Sequence, residues 1–312
     1  MAKRISKILL VAIALGAILF VLSPGKFIDT VRFFPHFNPM ADPYKGMVGV
    51  QDLSTQLPQS ELIKTSLPFG LSERRNLIVY LPKGYEENGS KRYPVLYLLH
   101  GSPGQETDWL QGGQAQSTLD SLIDQGKIKP LIVVFPDGNG GILRDTQYVN
   151  SPDGKQPNED FIVRVVVNYV DSNFKTEADA QHRAIGGLSS GGFGALNLTL
   201  KHQDIFGFAV SMSGYGLIDI NPLSEKVIQG SAAVIAQNSP QKYIKDLAET
   251  DAKILMITGE QDPLLPENEK LAGELKQKKF DAEVLTFSGQ HNWKFWSGHL
   301  PDALEWLSGK LG

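Results

Sequence analysis

From about residue 60 onward the chain is paced by short apolar runs closed by Gly, Pro or Asp. They are NLIVYL (Asn76 to Leu81), YPVLYLL before HGSPG, PLIVVFPDG, HRAIGG, FGFAVSMSG, AKILMITG and AEVLTFSG. Runs this short, without polar alternation, are the pattern of strands buried on both faces of a mostly parallel sheet. Between them, apolar residues recur at helical spacing. In NEDFIVRVVVNYVDSNF the residues Phe161, Ile162, Val165, Val166, Tyr169 and Val170 form a stripe. Asn158 is the expected N-cap there, and Glu159 and Asp160 suit the positive end of the helix dipole. Pro266 to Phe280 and His299 to Leu311 predict two surface helices. The alternation predicts an α/β fold: one mostly parallel central sheet, helices on both faces, a single domain over residues 60–312.

The first 59 residues follow a different pattern. Lys3, Arg4 and Lys7 precede an unbroken apolar or small run from Ile8 to Leu22, and Pro24-Gly25 ends it. Cations before an apolar run hold the N-terminus in the cytoplasm and send the remainder outward. The run has the length of a signal-peptide core and is slightly short for a span, unless Lys7 snorkels and the count begins at Ile5. Residues 1–25 are thus expected to be an uncleaved membrane anchor, with a cleaved signal peptide and secretion as the alternative. Residues 26–59, rich in Phe, Pro and Asn, are expected to be a juxtamembrane linker. Either way the domain is extracytoplasmic.

Composition narrows the chemistry. The chain has 312 residues, a formal net charge of −4 and no cysteine. Without a basic stripe there is nothing to neutralise nucleic-acid phosphates. Without cysteine, disulfides, thiolate catalysis and Cys-ligated zinc are excluded. Asp108, Asp137 and Asp145 make no metal-ligand pattern, so neither a metal nor a cofactor is expected.

One stretch breaks the strand–helix rhythm. AIGGLSSGGFGALN, Ala184 to Asn197, carries five glycines and two serines between a strand and a helix. Gly187-Leu188-Ser189-Ser190-Gly191 is a G-x-S-x-G. At a strand-to-helix elbow the middle serine takes a strained backbone, and flanking glycines make room for the tight turn. Ser189 is therefore the candidate nucleophile.

A serine nucleophile needs a base. His36 lies in the linker, His100 in the HGSPG turn, His182 before the elbow strand and His202 at the end of the following helix. His299 lies farther on, where the last helix is expected to begin. His291 follows the last strand after only SGQ and can reach the carboxyl edge of the sheet, so it is the candidate base. Asp262, just past the strand AKILMITG, is the candidate acid, with Glu260 and Glu267 as alternatives. The chain order Ser189, Asp262, His291 is that of α/β-hydrolases. The oxyanion would be met by two backbone N–H groups, those of Ser190 and of Ser102 in the HGSPG turn. Loops at the strand carboxyl ends should face substrate, which nominates Trp109, Tyr148, Trp293 and Trp296, or else these aromatics pack the loops. The small, apolar GSAAVIAQ, inside the long segment from Gly214 to Ser239, could line an acyl groove.

VYLPKGYE, RYPVLYLLHGSPG, IGGLSSGGFGALN and GQHNWKFW together resemble the esterase family of α/β-hydrolases, over roughly residues 65 to 310. That family includes feruloyl and acetyl esterases, S-formylglutathione hydrolases and mycolyltransferases. The resemblance implies an α/β-hydrolase fold and a serine esterase acting on a small-molecule or envelope polysaccharide ester. It supports Ser189, His291, Ser102 and Ser190 in the roles above; the acid transfers least directly because its loop varies. The position after the nucleophile is often Met in the family and is Ser190 here, where only the N–H is needed. Two other readings share the fold: a cell-envelope acyltransferase of the mycolyltransferase type, and a catalytically silent surface-binding protein.

Overall fold

The computed structural model describes residues 60–85, 89–141, 144–248 and 251–311. The expected anchor (1–25) and the expected linker (26–59) lie outside the described residues. Among the described residues no helix is long and apolar enough to cross a membrane.

Eight strands form one sheet: β1 (Glu61–Phe69), β2 (Glu73–Leu81), β3 (Val95–Leu99), β4 (Ile132–Pro136), β5 (Arg183–Leu188), β6 (Phe208–Met212), β7 (Lys253–Gly259) and β8 (Asp281–Phe287). Their order is β1-β2-β4-β3-β5-β6-β7-β8. β3 to β8 run parallel, and β2 pairs antiparallel with both β1 and β4. Each apolar run of the sequence contains or overlaps one strand. β1 is the exception, because ELIKTSLPF mixes exposed and half-buried positions and carries no continuous apolar run.

The period-2 alternation of strand side chains divides the core between two faces. Leu96 and Leu98 of β3 pack toward α1 (Ala115–Asp124) and the last helix; Val95, Tyr97 and Leu99 point the other way. The second face is covered by α2, α3 (Ser190–Lys201) and α4 (Leu265–Gln277). α2 is a turn at Asn158–Asp160, a π-helical stretch at Phe161–Val166 and an α-helical end at Val167–Asn173.

Two helix starts differ from expectation. Asn158 is not the N-cap of α2: it is the first helical residue, after Pro157. Its side chain turns inward, where Nδ2 donates to the Val149 carbonyl at 2.8 Å and Oδ1 accepts from the buried Arg75 at 3.1 Å. The last helix, α5, spans Trp293–Ser308, so His299 sits inside it and Pro301 does not mark a boundary. Asn292 caps α5, accepting from the Phe295 N–H at 3.0 Å. The apolar face of Phe295, Trp296, Leu300, Ala303, Leu304 and Leu307 then holds the helix together through the proline, whose cost is one lost backbone bond and local crowding.

Beyond β6 a long segment carries three short helices, Glu225–Ile228, Ala232–Gln237 and Pro240–Tyr243. GSAAVIAQ contributes the middle one, capped by Ser231, with Val234 buried and Ala232 and Ala233 exposed. A polar knot ties this segment to α2 and the far end of α3. Glu159 accepts from Lys201 and from His202, the latter at 2.7 Å. Lys201 and Asn197 both donate to Asn238 Oδ1, and the Tyr243 hydroxyl donates to Asn197 Oδ1.

Candidate active site

The elbow between β5 and α3 begins the site. Ser189 holds φ 52° and ψ −119°, a region that costs a non-glycine residue on the order of 1–3 kcal/mol unless its surroundings fix it. They do so tightly. Its N–H donates to the Met212 carbonyl at 2.9 Å. A Cβ on Gly191 would stand 2.5 Å from the carbonyl oxygens of Leu99 and His100, and one on Gly187 2.6 Å from the Gly191 backbone. These glycines are required by close approach of chain to chain.

The three candidate polar residues come together at this edge. His291 Nε2 lies 3.0 Å from Ser189 Oγ, and His291 Nδ1 lies 2.9 Å from Asp262 Oδ2. Ser189 and His291 are half-buried, while the Asp262 side chain has no solvent exposure. Burial alone would push the Asp262 carboxyl up. The His291 hydrogen bond and charge, the Leu264 N–H and the Ser213 hydroxyl outweigh that and hold it below its ordinary value. Glu260 is exposed, and Glu267 instead accepts from the N–H groups of Gly216 and Leu217 at 2.8 and 3.2 Å. Of the three acids considered, Asp262 is the one hydrogen-bonded to His291.

The loops that carry Asp262 and His291 are joined to each other. The Glu260 N–H donates to the Phe287 carbonyl at 2.8 Å, the Gln261 N–H to the Gly289 carbonyl at 2.9 Å, and the Gly289 N–H to Gln261 Oε1 at 2.9 Å. Gly259 presses against the Gly289 carbonyl, with no space for a Cβ. The acid–base distance is thereby set by backbone.

Ser190 is the first residue of α3, so its N–H has no partner within the helix. Ser102 follows Gly101, where a Cβ would come within 3.5 Å of Ser189 Cβ. The HGSPG turn is braced from within the protein. His100 Nε2 accepts from the Gly138 N–H at 3.0 Å, which leaves the proton on Nδ1 to donate to the Gly101 carbonyl at 2.7 Å. The Tyr148 hydroxyl donates to the His100 carbonyl at 2.7 Å.

The expectation of four substrate-facing aromatics needs correction. Trp109 is 1% exposed, with Nε1 donating to the Leu99 carbonyl at 2.8 Å. Tyr148 is equally buried, wedged against Gly138 and Gly194. Trp296 is 6% exposed and stands edge-on to the His291 ring. Trp109 sits in a short helical turn, Asp108–Gln111, and Trp296 in the first turn of α5, and these elements use the rings as packing. Trp293 stays partly open, edge-on to both Trp109 and Trp296, with Gly112 flat against its indole. Sequence reasoning missed Ser213, whose only signal is its place just past the end of β6.

The model of the Esterase family matches residues 70–307. The chain belongs to the Esterase family. An endo-1,4-beta-xylanase/feruloyl esterase of Xylanibacter ruminicola is 39% identical over 44% of this chain, which spans only 19% of that protein's length. An acetyl esterase of Caldicellulosiruptor saccharolyticus is 24% identical over 76% of this chain and 94% of its own. Among solved structures, a ferulic acid esterase superposes with a TM-score of 0.72 and 28% identity, covering 80% of this chain and 98% of the other. The fold is that of the α/β-hydrolases.

Proposed function

We propose that the chain is a carboxylic ester hydrolase that works through an acyl-enzyme on Ser189. The observation that carries this reading is the Ser189–His291–Asp262 relay, at 3.0 and 2.9 Å, on a strained elbow. Ser189 Oγ attacks the acyl carbon while His291 Nε2 takes its proton. Asp262 keeps the other imidazole proton on Nδ1 and stabilises the imidazolium. The tetrahedral oxyanion is met by the N–H groups of Ser102 and Ser190. The intermediate collapses, and the leaving alkoxide takes the proton from His291. Water then gives a proton to His291 and attacks the acyl carbon; the second intermediate collapses, Ser189 Oγ takes that proton back from His291, and the acid is released. Relatives named for acetyl and feruloyl esters support an ester as substrate, and the partly open Trp293 gives such a group a surface beside His291.

The test is hydrolysis of p-nitrophenyl acetate and methyl ferulate, together with labelling by a fluorophosphonate. Ser189→Ala should abolish labelling and lower kcat by a factor of ~10³ or more, the scale of losing a triad nucleophile. A wild-type chain that neither labels nor hydrolyses would sink the reading.

The same proposal includes export and retention at the membrane, motivated by Lys3, Arg4 and Lys7 ahead of the apolar run Ile8 to Leu22. The full chain should sediment with membranes and be digested by protease added outside the cell. Recovery in the cytosolic fraction would exclude this part alone.

A further inference from the structure

The Trp296 indole touches the relay by two routes. Its ring stands edge-on to the His291 imidazole, 4.9 Å between centroids at 85°. Its Nε1–H donates to the Ser213 hydroxyl oxygen at 3.0 Å. An indole N–H can only donate, so the hydroxyl's own proton is left for another acceptor. Ser213 is fully buried, where a hydroxyl proton is rarely left unpaired. The acceptor beside it is the Asp262 carboxylate, which the Ser213 hydroxyl helps to keep ionised. The Ser213 backbone is fixed as well: its N–H donates to the Ile257 carbonyl at 2.8 Å, and its φ is +51°. A non-glycine residue held in the left-handed region at the rim of a site is a mark of enforced placement.

We propose that Ser213 and Trp296 are positioning residues for the relay. Indole donates to hydroxyl, the hydroxyl proton is left to the Asp262 carboxylate, and this chain helps hold that carboxylate against His291 Nδ1. The same indole bears on the far side of the relay, against the His291 ring, so one side chain holds acid and base in register. The proposal rests on the reading of Ser189 as nucleophile. The titratable groups on the surrounding elements are Asp262 and Glu260 after β7, His100 and Asp108 after β3, and Lys294, His299, Asp302 and Glu305 on α5.

The experiment compares Ser213→Ala, Trp296→Phe and the double variant on p-nitrophenyl acetate, across pH, with thermal melting of each. Each single change should lower kcat roughly tenfold, as expected for one lost contact to a charged group, with KM within about twofold. Ser213→Ala removes a donor that shares the carboxylate's charge, so Asp262 stabilises the imidazolium more, and the acid limb of kcat/KM moves to higher pH. Both residues act through one carboxylate, so the double variant should be little worse than the poorer single. Wild-type kcat with an unmoved acid limb in a folded Ser213→Ala would overturn the proposal. Losses that multiply in the double variant, or that fall on KM alone, would do so too. If Trp296→Phe does not fold, the pH profile of Ser213→Ala decides. A wild-type chain with no hydrolysis at all removes the esterase reading and this proposal with it.

Discussion

Trp109 lies in a short helical turn past the carboxyl end of β3, where an aromatic residue invites a substrate contact, yet its N–H is committed to the Leu99 carbonyl. Burial of this kind is set by loops curling back on themselves, which residue identity does not encode. The relay residues differ: Ser189, Asp262 and His291 are recognisable because a serine between glycines, an acid and a histidine each follow a strand end. Ser213 follows a strand end too, but a lone serine there reads as any turn residue. Trp109→Phe should therefore act on stability. Losing one hydrogen bond and part of a ring costs about 1–3 kcal/mol, lowering Tm by several degrees. KM for p-nitrophenyl acetate should not move. A raised KM at unchanged Tm would return Trp109 to the substrate side.

At the level of elements, apolar runs identified seven of the eight strands, β2 in part, because strands buried on both faces leave no other pattern. Helix starts were less legible. α5 begins at Trp293, ahead of the expected start at His299, and Asn158, a good cap by type, spends its amide on Val149 and Arg75 instead. The actual cap of α5, Asn292, stands next to His291, so the start of the helix also sets the base. Asn292→Ala should cost about 1 kcal/mol of stability, the usual worth of an N-cap. It should lower kcat as well, since the backbone beside His291 loosens, whereas Asn292→Asp should keep most of both. Melting curves and kcat for the pair test this; equal kcat in all three proteins would detach the cap from the site.

Across the whole molecule, the mostly parallel sheet and the helices on both its faces follow from the alternation of strands and helices, whereas the strand order does not. β1 does not, since its half-exposed pattern depends on its place at the sheet's edge. The polar knot of Glu159, Lys201, His202 and Asn238 was equally hidden, because its members lie far apart in sequence. Glu159→Ala would strand the Lys201 ammonium, whose side chain is 25% exposed. A cost of about 3 kcal/mol is expected, read as a lower denaturant midpoint. Lys201 closes α3 some ~16 Å from the elbow at 1.5 Å per residue, so kcat of the folded fraction should be unchanged. A fall in kcat would couple the knot to the site.

The hydrogen bonds joining the loop after β7 to the loop after β8 have a consequence for how such a molecule can diversify. The loops that carry Asp262 and His291 are fastened by backbone to one another, while the far part of the segment after β6, at Asn238 and Tyr243, is fastened to the end of α3. The spacing of Asp262 and His291 and the seating of that part of the segment thus rest on separate sets of bonds. A lineage can rewrite the second, by insertion or exchange, without retuning the first.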